Sequence, residues 1–210
     1  MVRHGQAPVL LHTPADPARD RILAAAVDLF AERSFDGATT RAIAERAGVT
    51  QPLLNYHYSS KDDLWRAAVD SVFASLTDTQ GRRLEGLRGV DEATTARLMI
   101  REFIWFSARN PQLHRIITQE CKADGPRMDY LVEHHVRPLY EATTSMLREL
   151  RDRGLVRDIP VEHLYYVITG AGPTMFVLGP ECRRLTGLDP TDDAVIDAHV
   201  DAVCALIFRT

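Results

Sequence analysis

Between Asp20 and Arg33, the apolar residues Ile22, Ala26, Leu29 and Phe30 recur at the three- and four-residue spacing that lines one face of an α-helix. The Asp16-Pro17 pair ahead of them is a helix-start signal, and Gly37 supplies the turn that ends this first helix. Thr39 then stands as N-cap before TRAIAERA, a short helix that stops at Gly48. Thr50 caps a third helix at about 51–57, where Pro52 is tolerated because first-turn amides need no intrahelical partner. Ser60 followed by Asp63 approximates a capping box, and the long helix it opens repeats Leu64, Ala68, Val72 and Leu76 every four residues.

The remainder carries helical periodicity at about 91–109, 111–122, 126–153, 161–178 and 192–208, with neither strand alternation nor a repeat of fixed period. The pattern predicts an all-α chain of about nine helices. It divides into a disordered arm at 1–18, a three-helix head at 19–65 and a larger helical domain at 66–210. Gly170, Gly172 and Pro173 predict a kink in the penultimate helix.

Composition narrows the function classes. The 210 residues are 45% apolar and 26% charged, and no run is apolar for long enough to span a membrane. The N-terminus has one short apolar patch, residues 7–11, broken by Pro8, which implies a cytoplasmic protein without a signal peptide. Cys121, Cys182 and Cys204 are widely spaced and suggest neither a disulfide framework nor a zinc site. His134 and His135, adjacent on a helix, point about 100° apart and cannot easily share one ion; no metal and no cofactor is implied. With a net charge of −4, any binding to nucleic acid has to be local. Residues 1–61 carry seven basic side chains against six acidic ones, leaving the acidic excess to the rest.

A short helix, a glycine turn and a second short helix is the helix-turn-helix plan, whose second helix enters the major groove of DNA. The residues are more specific than the plan. TTRAIAERAGVTQPLLNYHYSSKDDL, from Thr39 to Leu64, resembles the signature of the TetR family of bacterial transcriptional regulators. The resemblance is detailed over roughly 19–66 and extends beyond that only in helical layout. Leu54 and Tyr58 share the face that packs on Ile43, Ala47, Leu29 and Phe30, leaving the opposite face for DNA. There Gln51 and Asn55 can pair with adenine, Arg41 with guanine, and Pro52 and Leu53 can touch thymine methyls. The resemblance adds Thr39 at the start of the reading segment and implies phosphate contacts from Thr40, Thr50, Tyr56, His57 and Lys61.

The larger domain carries aromatic and methionine stripes. Met99, Phe103, Trp105 and Phe106, with Ile117, Met128, Leu131, His135, Tyr166 and Met175, are candidates to line an effector cavity, as the resemblance implies for these helices. Leu164, Ile168, Ala171 and Met175, with Ile196, Val200, Val203 and Ile207, form stripes on two helices that each have a second apolar face. They are the candidate homodimer interface. The reading is a homodimeric repressor of a pseudo-palindromic operator, released by a small, mostly apolar effector. An activator or ligand-independent regulator of the same fold is the alternative. A helical enzyme is the reading from another class, and no nucleophile elbow, phosphate loop or HExxH spacing supports it.

Overall fold

The computed structural model describes residues 16–209. Asp16 caps the first helix, α1 (Pro17–Gly37), its carboxylate accepting from the amides of Ala18 at 3.0 Å and Arg19 at 3.4 Å. The last three residues of the predicted arm are thus a cap and the start of a helix; residues 1–15 lie outside the described residues. Ser34 leaves the helical region, at φ 61° and ψ 175°, just past the predicted end at Arg33, and one more turn reaches Gly37.

Helices α2 (Thr40–Ala47) and α3 (Gln51–His57) follow as the caps require. Thr39 Oγ1 accepts from the Ala42 amide at 3.2 Å, and Thr50 Oγ1 from the Leu53 amide at 3.4 Å. Between them Gly48 sits in the left-handed region at φ 64°, where a side chain would be strained. The amides of Gly48 and Val49 turn back onto the carbonyls of Glu45 and Ala44 at 3.2 and 3.0 Å, closing α2. The Ser60 hydroxyl accepts from the Asp63 amide at 3.0 Å and starts α4 (Lys61–Gly86).

The body consists of α5 (Glu92–Arg109), α6 (Pro111–Glu120), α7 (Pro126–Leu131), α8 (Arg137–Asp152), α9 (Val161–Val177), α10 (Gly179–Thr186) and α11 (Asp193–Ile207). A π turn, Val132–Val136, joins α7 to α8 with right-handed dihedrals on both sides, so the helix predicted at 126–153 is continuous. Among the described residues this makes ten continuous helices rather than nine; the addition is α10, in what reads as a loop in sequence. Helix α9 runs through Pro173 and ends four residues later.

Two buried clusters hold the chain together. The first joins Ile22, Phe30, Ile43, Leu54 and Trp65 to Phe106, Leu113, Ile116 and Leu131, so the boundary predicted at 65/66 falls inside a shared core. The second unites α5, α8, α9 and α11 through Ile100, Ile104, Leu147, Leu164, Ile196 and Ile207, and Phe103 packs against both. A Cβ on Gly172 would meet Ile104 at 3.3 Å, so α9 approaches α5 closely there. An isolated bridge between Val156 and Phe208 pins the C-terminal end of the described chain.

This packing corrects the dimer expectation. Leu164, Ile168, Ile196, Val200, Val203 and Ile207 are at most 4% exposed inside their own subunit, and cannot reach a partner. Ala171 and Met175 are half-buried. The physical reason is area: where a helix is apolar on two sides, turning the large branched stripe inward removes more surface from water than turning in the stripe of small residues. The outer faces of α9 and α11 instead carry Tyr166, Gly170, Thr174, Ala198, Ala202 and Leu206, with Tyr166 70% and Leu206 56% exposed.

Candidate nucleic-acid interface

Helix α3 is held by its inner face. Leu54 and Tyr58 are buried in the first cluster, and burial pushes the Tyr58 phenol above its ordinary value. Helix α2 is tied to α1 by Arg21, whose Nε donates to the Ala47 carbonyl at 3.2 Å, and by an Arg46–Glu32 ion pair at 2.7 Å. The opposite face is open: Pro52, Leu53, Asn55 and Tyr56 are exposed, Tyr56 to 83%, and so is Arg41 in the first turn of α2. Gln51 is half-buried. Its Nε2 donates to Asn55 Oδ1 at 3.0 Å, while its Oε1 is buried without a partner.

The structure gathers Thr39, Thr40, Asn55, Tyr58, Ser59, Ser60 and Lys61 around one shallow groove beside this face. Lys61 Nζ lies 3.5 Å from the Asp36 carbonyl oxygen and 4.4 Å from the centroid of the Phe35 ring, at the N-terminus of α4. A cation and hydroxyls at a helix N-terminus suit a phosphate. Ser59 was not singled out from the sequence. Its hydroxyl bonds to Asp63 and, with Ser60, holds that carboxyl below the usual carboxylate range. Two phosphate candidates are otherwise engaged: the Thr50 hydroxyl caps α3, and His57 Nε2 sits 3.6 Å from Asp16 Oδ2.

The effector candidates are divided between the two buried clusters and the surface. Phe106, Ile117 and Leu131 belong to the core shared with the head, Trp105 belongs to the second core, and Phe103 lies between them. The Trp105 indole donates to Asp197 of α11 at 2.9 Å, an acceptor it shares with Arg101. Met99, Met128 and Met175 are half-buried, whereas Tyr166 is on the outside of α9 and is corrected to a surface residue. His135 stacks on Phe73 and lies 2.8 Å from Asp70 of α4, which also accepts from the Tyr130 hydroxyl at 2.9 Å. Asp70 carried no signal in sequence beyond being an acid on a helix. A cleft of about 410 Å³ opens between α1, α4 and the α5–α6 turn, over Leu23, Val27 and Val72 with Asp20, Asp28 and Arg109 at its edge; it includes none of the effector candidates.

His114 is buried in the body beside Ser107. Its Nε2 is 2.9 Å from Ser107 Oγ, and that hydroxyl also donates to the Phe103 carbonyl at 2.7 Å. Ser107 therefore accepts from His114, and burial pushes this imidazole down to about 4.

Capped short helices, an αL glycine between them and an open face on the second define a helix-turn-helix regulator that reads DNA, set on a helical body. Residues 22–68 match the family model described as bacterial regulatory proteins, tetR family. The chain is 31% identical over 144 residues to the HTH-type transcriptional activator FasR of Mycolicibacterium smegmatis, 68% of this chain and 63% of that relative's length. It is 25% identical over 192 residues to the HTH-type transcriptional regulator RutR of Escherichia coli K12, 90% of this chain and 87% of the relative. A solved bacterial regulatory protein in the tetR family from Rhodococcus RHA1 superposes with a TM-score of 0.71 at 18% identity, covering 93% of this chain and all of that one. The chain belongs to the TetR family of bacterial transcriptional regulators. Among the described residues, no helix is long and apolar enough to cross a membrane.

Proposed function

We propose that the chain is a homodimeric repressor that occupies a pseudo-palindromic operator and is released by a small, mostly apolar effector. The open face of α3, pinned from behind by Leu54 and Tyr58 and flanked by Arg41 and Lys61, carries the reading. Twofold pairing through the outer faces of α9 and α11 would give a four-helix interface and set two heads on successive major grooves. The effector is taken among α5, α6 and α7, where Phe103, Ile117 and Met128 are only half-buried. A ligand that prefers splayed heads lowers DNA affinity by its differential affinity for the two states, with α4 as the lever. The relative named an activator supports a second reading, in which the same dimer raises transcription.

A mobility-shift assay on the DNA upstream of the chain's own gene tests the proposal. Lys61→Ala should weaken binding to every sequence and flatten its salt dependence, whereas Arg41→Ala should cost about 1–3 kcal/mol mainly at the cognate site. Equal losses on specific and random DNA remove Arg41 from base reading, and no shift on any upstream palindrome sinks the operator reading. A promoter fusion separates the two directions: expression falls with a repressor and rises with an activator.

A further inference from the structure

Two amides on the reading helix are bonded to each other before any DNA arrives. Gln51 Nε2 donates to Asn55 Oδ1 at 3.0 Å across one helical turn, and Gln51 Oε1 is buried with no partner. An amide reads adenine bidentately by donating to N7 and accepting from N6 at the same time. In this arrangement Gln51 does not do this, because its acceptor is turned into the protein and one of its two N–H groups is spent on Asn55. Asn55 keeps both Nδ2 hydrogens and the second lone pair of Oδ1. It is exposed, at the groove shared with Thr39, Thr40, Ser59 and Lys61.

We infer that Gln51 is a positioning residue rather than a base reader: it clamps the amide of Asn55 so that Asn55 reads one adenine of each half-site. The terminal torsion of an asparagine is broad and roughly twofold, so an unheld amide presents its nitrogen and oxygen in either order. The bond from Gln51 selects one order, and the reverse would set oxygen against N7 of the base. The inference rests on the DNA-reading role of α3 and replaces the expectation that both amides meet bases.

The test is selection by the full-length chain from a pool of randomised duplexes, followed by competition with single-base variants of the selected site. The unaltered chain should prefer adenine at one position of each half-site. Asn55→Ala should erase that preference, a loss of about tenfold or more, and leave the other positions unchanged. Gln51→Ala should weaken the preference at the same position, and the double variant should discriminate no worse than Asn55→Ala. Gln51→Glu accepts but cannot donate, so it should turn the Asn55 amide over and abolish the adenine preference. Its added charge weakens binding to all sequences alike and cancels from the ratio between bases. A change of preference at a different position in Gln51→Ala overturns the inference, as does an Asn55→Ala chain with every preference intact. An unaltered chain that enriches no motif overturns the reading role of α3 itself, a result distinct from an unchanged motif in the variants.

Discussion

Ser34 is the only non-glycine residue with positive φ among the described residues, and at φ 61° and ψ 175° it occupies a region that is essentially glycine's. The bend directs Phe35 back onto Phe30, the two rings stacked with centroids 5.9 Å apart. Ser34→Gly should relieve the strain and stabilise the chain by about 1 kcal/mol, a rise of roughly 2–4 °C in Tm for a chain of this size, read by thermal unfolding. A fall in Tm would mean that the serine hydroxyl, which bonds the Arg33 carbonyl at 2.5 Å, outweighs the strain. His114 sets a pH dependence with a definite sign. Its folded value of about 4 lies below the ordinary 6.5, so between those values the unfolded chain takes up a proton that the folded chain refuses. Its contribution is therefore intact above about pH 6.5 and is lost as the pH falls towards 4, by up to about 3 kcal/mol. His114→Gln should lose less stability than the unaltered chain between pH 7 and pH 4.5 in urea unfolding. Equal losses in the two would show that this imidazole titrates normally.

At the scale of elements, α7 touches the reading head directly. The Arg127 guanidinium lies 3.8 Å from the centroid of the Phe35 ring, on which Lys61 also rests, and its Nε pairs with Glu120 of α6 at 2.9 Å. A cation–π contact of this kind is worth about 0.5–2 kcal/mol. Arg127→Met keeps the bulk and removes the charge, and should speed amide exchange in the 34–38 turn and the first turn of α4 several-fold. Unchanged exchange there would separate the body from the head at this contact. The helix spans show how periodicity performs as a guide. Caps at Thr39, Thr50 and Ser60 are local hydrogen bonds between neighbours in sequence, so α2, α3 and α4 start where the residue types say. Helix α10 has no such signal, because it is eight residues long and its Leu185 is 77% exposed, which leaves no inward stripe to announce it.

For the whole molecule, assembly depends on the surface that each subunit leaves outside. With the branched stripes of α9 and α11 used up internally, a second subunit has the faces bearing Tyr166 and Leu206 available. Leu206→Arg should shift the chain towards monomer in sedimentation, and lower operator affinity because two linked heads become two separate ones. The side chain is more than half exposed, so the fold should persist by circular dichroism. A dimer unaffected by this change would place the interface elsewhere.

The residue order alone carries the helical class, the helix-turn-helix and the exposure of Arg41, Asn55 and Tyr56. Each follows from contacts within a few residues: a cap, a glycine turn, an i, i+4 face. It also marked α9 and α11 as helices apolar on more than one side. Which of those faces is spent inside the subunit is a matter of packing: neighbouring helices cover the branched stripes, whose burial removes the larger apolar area, and leave the other stripes outside. The same holds for Gln51, whose type suits a base contact, but whose acceptor is buried and whose donor is held by Asn55. It holds as well for the effector candidates, divided between two cores by the packing of α5 against partners distant in the chain.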